Sequence, residues 1–195
     1  TFGSNHRLNE HISLSPYGEL RFYEASSNYN LLFLSLRANY HFNSQSTVCL
    51  GYAYLDIDTV FEFDNEPNVY ENRLFEQYVY THNLGAFKMM HRGRLEHRFL
   101  DFRTRTELQN RFRYLISFKY DFNDTVFALL SEEPFVNFQD QVFHENRFYV
   151  GIGANVTEYL QINVGYLKQH IRKNNLNRIR VGVTFKTDSR KSKTT

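Results

Sequence analysis

The stretch Glu107 to Phe122, ELQNRFRYLISFKYDF, sorts its residues by parity. Leu108, Asn110, Phe112, Tyr114, Ile116, Phe118, Tyr120 and Phe122 fall on even positions, and Glu107, Gln109, Arg111, Arg113, Leu115, Ser117, Lys119 and Asp121 on odd ones. Successive side chains point to opposite faces on a β-strand, so one face here is aromatic and apolar and the other mostly charged. A globular sheet strand usually runs to about five or six residues. This one exceeds the roughly nine to eleven that a tilted strand needs to cross a bilayer.

The same alternation recurs along the chain. From Gly18, Leu20 and Phe22 oppose Glu19, Arg21 and Tyr23, while Pro16 is expected to interrupt a strand or mark a bulge. After a polar turn at Ser26 to Asn28, Leu32, Leu34, Leu36, Ala38, Tyr40 and Phe42 oppose Ser35, Arg37, Asn39 and His41. Val48, Leu50, Tyr52 and Tyr54 then face away from the small residues Cys49, Gly51 and Ala53, which leave room for long arginines from neighbours. Leu74, Tyr78 and Tyr80 oppose Glu71, Arg73 and Gln77; Glu76 falls on the apolar side and points to a bulge or a position beyond the bilayer. Phe87, Met89, Leu95 and Phe99 oppose the densest polar ladder, Lys88, Arg92, Arg94, Glu96 and Arg98.

Beyond the opening strand, Val126 to Phe138 is less regular, with Glu132, Glu133 and Pro134 in its middle. Phe148, Val150, Ile152 and Ala154 oppose Arg147, Tyr149, Gly151 and Gly153, and Leu160, Ile162, Val164 and Tyr166 oppose Gln161, Asn163 and Gly165. A basic, Asn-rich loop near Arg172 to Asn177 precedes Ile179, Val181, Val183 and Phe185, which oppose Arg178, Arg180 and Gly182. The pattern predicts about ten antiparallel strands and no helix, an up-and-down barrel. Connections near Ser44, Gly85, Asn123 and Glu158 are tight, whereas those near Asp64, Arg105, Asp140 and Asn174 are longer and the one near Ser27 is short. Short periplasmic turns and longer external loops are the habit of outer-membrane barrels. That places both termini in the periplasm, with residues 1–17 as a periplasmic N-terminal segment and 186–195 as a polar tail of one domain, 1–195.

Alternation does not say which face looks outward, because a soluble lipid-binding barrel has the same period with its apolar face inside. Three features favour a transmembrane barrel with a polar lumen. The polar ladders run to arginine and glutamate at positions that can pair across strands, as enclosed charges require. Tyr40, Phe42, Tyr80, Tyr120 and Phe122 recur at strand ends, where aromatic girdles sit. The last strand ends on Phe185, which is similar to the assembly signal of outer-membrane barrels, although a tail follows it. Phe112, Tyr114, Ile116, Phe118, Phe148, Val150, Ile152, Val181, Val183 and Phe185 are then lipid-facing.

Composition changes this picture little. The chain has 195 residues, 42% hydrophobic and 17% aromatic, with no shift that marks a second domain. Its mean hydropathy of -0.54 is uninformative, since lumen-facing polar residues dilute the apolar band of a barrel. The start, TFGSNHRLNE, lacks the basic and apolar regions of a signal peptide, so an exported protein would carry this as its mature chain. Cys49 stands alone, which excludes an intrachain disulfide and a cysteine-based zinc site, and no cofactor is expected. A net charge of +2, spread over alternate strand positions, gives no case for nucleic acid.

ENRLFEQ at Glu71 to Gln77, RGRLEHR at Arg92 to Arg98, NRFRY at Asn110 to Tyr114, and ENRFYVGIG followed by INVGY resemble an uncharacterised bacterial outer-membrane β-barrel family catalogued as a domain of unknown function. The resemblance spans roughly Asn30 to Phe185 and implies a barrel with no assigned chemistry.

The candidate site is a lumen charge network: Glu71, Arg73, Gln77, Arg92, Arg94, Glu96, Arg98, Arg111, Arg113, Glu133, Arg147, Arg178 and Arg180, with Arg37 and Glu19 on the same inward face. Arginine forks cross-linked by carboxylates would fill and stiffen a narrow bore. The chain is therefore expected to be a structural or accessory subunit of a membrane complex, in contact with outer-membrane lipids and other outer-membrane proteins. A surplus of arginine also suits a narrow anion-preferring channel. A rim-sited hydrolase would draw on Asp101, Asp140, His144 and His170, but no nucleophile, base and orienter are fixed in proximity. The eight histidines show no metal-ligand spacing. Phe61 and Phe63 in the loop Thr59 to Val69 are candidates for docking a partner.

Overall fold

A computed structural model of the chain describes residues 1–24, 27–59, 68–139, 142–171 and 174–189. The strands are β1 (Phe2–Arg7), β2 (Ile12–Glu24), β3 (Ser27–His41), β4 (Ser46–Ile57), β5 (Val69–Leu84), β6 (Phe87–Asp101), β7 (Thr106–Asp121), β8 (Val126–Asn137), β9 (Phe143–Asn155), β10 (Leu160–Ile171) and β11 (Asn174–Asp188). They close into one barrel in chain order, and no helical element occurs among the described residues.

The count is eleven instead of about ten because His6 to Leu14, where the alternation is faint, still enters the wall. Residues 2–7 form β1, and β2 begins at Ile12, so 1–17 is no separate segment. An odd number of strands in an up-and-down meander leaves the first and last running the same way. Closure therefore uses one parallel pair, β1 with β11, from Phe2 beside Val183 to Arg7 beside Asp188. β1 spans only the half of the wall nearer the tight turns. Lys186 to Asp188 belong to β11, and 190–195 lie outside the described residues.

Proline disturbs less than its missing N–H suggests. Pro16 keeps its register with Leu36 of β3, and the ladder lapses only toward β1, between Gly3 opposite Tyr17 and His6 opposite Leu14. Pro134 lies inside β8, and there the β7–β8 ladder skips from Arg113 opposite Phe135 to Ile116 opposite Glu132. In each case the lost donor interrupts one neighbour, while the proline keeps its partner in the other ladder, Leu36 for Pro16 and Asn146 for Pro134.

All connections expected to be tight are tight. Gly85, at φ 58, turns β5 into β6 in the left-handed region open to glycine. At the opposite end the β6–β7 connection is only 102–105, and Asn174 to Asn177 are strand instead of loop. Most of the expected loop 59–69, including Phe61 and Phe63, lies outside the described residues, as do Ser26, Asp140 and Arg172.

The wall is inverted relative to a soluble barrel. Leu34, Leu36, Leu50, Leu74, Leu108, Phe112, Tyr114, Phe148, Val150, Ile152, Ile162, Val164, Val181 and Phe185 are exposed on the outside. Glu71, Arg73, Gln77, Arg94, Glu96, Arg111, Arg113 and Glu133 are buried within. Ile116, Phe118 and Val183 share the outer parity and are half-buried by neighbours. Tyr40 and Phe42, with ring centroids 5.2 Å apart, and Tyr120 and Phe122, at 5.1 Å, gather at the tight-turn end.

Glu76 sits in a regular register between Leu50 and Leu95, with no bulge. It stays on the outer face, where its carboxylate lies 3.4 Å from His97 Nε2, and His97 Nδ1 meets Asn110 Oδ1 at 2.7 Å. A short polar chain thus crosses β5, β6 and β7 outside the lumen.

Candidate functional site: the charged lumen

Three triplets of the form Glu-x-Arg build the site locally. A rise of about 3.3 Å per residue puts the two charged residues of a triplet roughly 6.6 Å apart on the same face, within reach of an arginine folding back. Arg21 Nε lies 2.6 Å from Glu19 Oε1, Arg73 Nε 2.7 Å from Glu71 Oε1, and Arg147 Nε 2.6 Å from Glu145 Oε1. Neighbouring strands then join these pairs sideways.

Glu96 on β6 is the hub. It is 0% exposed and accepts from Arg73 Nη1 at 3.1 Å, from Arg111 Nε and Nη2 at 2.8 and 2.6 Å, and from Arg113 Nη1 at 2.9 Å. Arg94 Nη1 stands 3.6 Å away and donates Nε and Nη2 to Gln77 Oε1 at 2.9 and 2.6 Å. Glu71 receives a two-pronged grip from Arg98, at 2.9 and 2.8 Å. Glu133 receives another from Arg113, at 3.0 and 2.8 Å, and a bond from Arg92 at 2.5 Å. Such paired forks are the strongest hydrogen bonds available to these groups. Buried charges of this kind are tolerable only when matched so fully.

Aromatic rings support the guanidinium groups from behind. Phe75 lies against Gly51, where an added Cβ would come within 2.2 Å of the ring, and Arg94 stacks over the same ring at 4.3 Å. The room left by small residues on β4 is thus filled first by Phe75 and only then by arginine. Phe135 is 0% exposed and carries Arg111, Arg113 and Arg147 at 4.8, 4.5 and 4.7 Å. These contacts combine apolar burial with cation–π attraction.

The partners lie on neighbouring or next-but-one strands of β5 through β9, with Arg92 of β6 reaching Glu133 of β8 and Arg111 of β7 reaching Glu145 of β9, so the network braces one side of the wall. A cavity of about 1190 Å³ remains beside it, lined from Tyr23, Thr59 and Asn174 at the loop end down to Met90, Ser117 and Ser131. Eleven arginines line it against five carboxylates, Glu19, Asp58, Glu71, Glu133 and Glu145.

Of the expected network, Glu71, Arg73, Gln77, Arg92, Arg94, Glu96, Arg98, Arg111, Arg113 and Glu133 are joined as described, and Arg147 joins through Glu145. Arg178 and Arg180 enter the lumen but hold neutral oxygens: Arg178 donates to Gln169 Oε1 at 2.6 Å and Asn30 Oδ1 at 3.1 Å, and Arg180 to Tyr17 OH at 3.2 Å. Among the described residues, the hydrogen bond of Arg37 is a long one, 3.5 Å, to the Ser15 carbonyl. Glu145 is a member that the sequence reading missed. Its place two residues before Arg147 repeats the Glu71 and Arg73 spacing, which was the available signal.

Among the described residues, His144 and His170 of the hydrolase set lie on opposite faces of the wall. A register shift between Phe135 and Val136 turns His144 inward beside Glu145, 3.9 Å away, whereas His170 is exposed and bonded to Asn175 at 2.8 Å. Asp140 lies outside the described residues.

Residues 1–180 match the model of the family described as "Protein of unknown function (DUF2490)". The chain belongs to that family. The DUF2490 match takes in β1 and β2 ahead of Asn30 and all of the charge network. No curated protein and no solved structure matches the chain.

Proposed function

We propose that this DUF2490 protein is an integral β-barrel of the bacterial outer membrane that acts as a structural or accessory component of a membrane complex, its wall stiffened from within by the arginine–glutamate network. One observation carries the proposal: the closed wall is apolar outside and charged inside. A water-soluble lipid-binding barrel needs the reverse. A monomer in water rarely exposes contiguous apolar surface beyond a few hundred Å², whereas the outer faces of β3 and β4, and those of β9, β10 and β11, are apolar side by side. Strands β2 to β11 run to between 12 and 16 residues, enough to cross and project beyond a bilayer. The tight-turn end, with its aromatic residues and the end of β11, is assigned to the periplasm, and lipid is the medium of the outer face.

An accessory role calls for a partner. Extraction in mild detergent followed by native mass measurement is expected to give a species heavier than the 23.4 kDa chain. A lone monomer would remove the subunit role and leave the barrel itself untouched.

The arginine-rich cavity favours a second role, a narrow anion-preferring channel. Planar-bilayer recording separates the two. A stable anion-selective current that changes with Arg94→Gln supports conduction, and a silent barrel supports bracing alone.

A further inference from the structure

We infer that the lumen holds a binding site for a phosphate-like oxyanion, centred on Arg178 and Arg180 of β11. This goes beyond the bracing role and does not depend on which membrane holds the barrel. The two arginines sit at positions i and i+2 of one strand, both facing the cavity, with no carboxylate within 4 Å of either among the described residues. Their partners are neutral and few. Among the described residues, Arg178 is held by Gln169 and Asn30, which aim its guanidinium, and Arg180 by the Tyr17 hydroxyl and by the Tyr149 ring, 5.5 Å from it. Arg180 Nε is buried and has no hydrogen-bond partner.

Glu19 forms no ion pair within 4 Å with either and meets Arg180 through the Tyr17 hydroxyl. Glu19 is engaged by its own neighbours, Arg21 at 2.6 Å and the Tyr17 hydroxyl at 2.9 Å. Two neighbouring guanidinium groups that lack an anion beside a water-accessible cavity contrast with the inward arginines of β5 to β9, each of which lies within 4 Å of a carboxylate. A tetrahedral oxyanion supplies acceptors for several donors at once, and guanidinium forks suit it geometrically. The cavity of about 1190 Å³ reaches the loop end past Tyr23 and Asn174 and admits a group of this size. The shared chemistry is a phosphate-type oxyanion, either free or as the headgroup of an anionic amphiphile.

The test uses the full chain purified in an uncharged detergent. Titration calorimetry is run with inorganic phosphate against chloride at equal ionic strength, and separately with a short-chain phosphatidic acid in the same micelles. Saturable binding of either probe, weakened roughly tenfold or more in Arg178→Gln/Arg180→Gln and unchanged in Lys168→Gln on the outer face, is the expected result. Which probe binds more tightly names the source. Equal binding by the double variant and the parent would overturn the site, as would a parent that binds neither probe. Should the double variant fail to fold, Arg178→Lys/Arg180→Lys replaces it. Loss of the planar forks with retention of charge is expected to weaken binding, and unweakened binding counts against the site.

Discussion

The two sides of the lumen keep arginine in different company. From β5 to β9 each inward arginine lies within 4 Å of a carboxylate, most in paired forks, and Glu96 alone serves four of them. On β11 and β3, among the described residues, Arg178, Arg180 and Arg37 hydrogen-bond to amide, phenol and backbone oxygens and form no ion pair. Gln169 on β10 marks the boundary: its Nε2 donates to Glu145 at 2.6 Å on one side while its Oε1 accepts from Arg178 at 2.6 Å on the other. Charge on the first side is consumed in holding strands together. Charge on the second remains available to something else.

The largest expected effect comes from breaking the matched side. Glu96→Gln removes the central charge and leaves buried guanidinium groups uncompensated, so denaturant unfolding in detergent should register a loss of about 3–5 kcal/mol. A loss comparable to that of an exposed ion pair would mean that the two sides do not differ.

A smaller effect probes the aromatic support. Gly51→Val drives a side chain into Phe75, whose ring lies 2.2 Å from where Cβ would stand, and thereby displaces the platform of Arg94. A cost of about 1–3 kcal/mol is expected, measured in the same way. Gly18→Ala, on the outer face of β2 and away from the lumen, meets Leu34 at 3.6 Å and the Phe33 carbonyl at 4.0 Å and should raise stability by roughly 0.5 kcal/mol through the glycine it removes. Reversal of the two signs would break the comparison.

The smallest effect is the sharpest. Arg180→Gln breaks no ion pair, and its unfolding free energy should stay within about 1 kcal/mol of the parent. A penalty equal to that of Glu96→Gln would show that β11 belongs to the structural network after all.

Much of this fold is legible in the alternation. Strands β3 to β11 stand close to where period-two sorting puts them, because each presents an apolar face long enough to count. β1 was hidden: FGSNHR carries no apolar stripe, and its place is set by the unpaired edges of β2 and β11, which are non-local facts. The inward parity of Arg111, Arg113, Glu96 and Glu71 was readable for the same reason as the strands. What parity does not encode is which acid meets which arginine across strands, since that follows from register. Hence Arg178 and Arg180 are inward as expected but unmatched. The rings of Phe75 and Phe135 are apolar residues on a polar face and make sense only beside the guanidinium groups that stack on them.

The inversion of the wall underlies every reading of this lumen, and the chain offers a clean way to test it because it contains no tryptophan. Val150→Trp places a single indole on the outer face of β9, among the exposed residues Phe148 and Ile152. Reconstituted in bilayers containing brominated phospholipid, it should emit at short wavelength and be strongly quenched. Long-wavelength emission with no quenching by the brominated chains would contradict a barrel whose apolar side meets hydrocarbon.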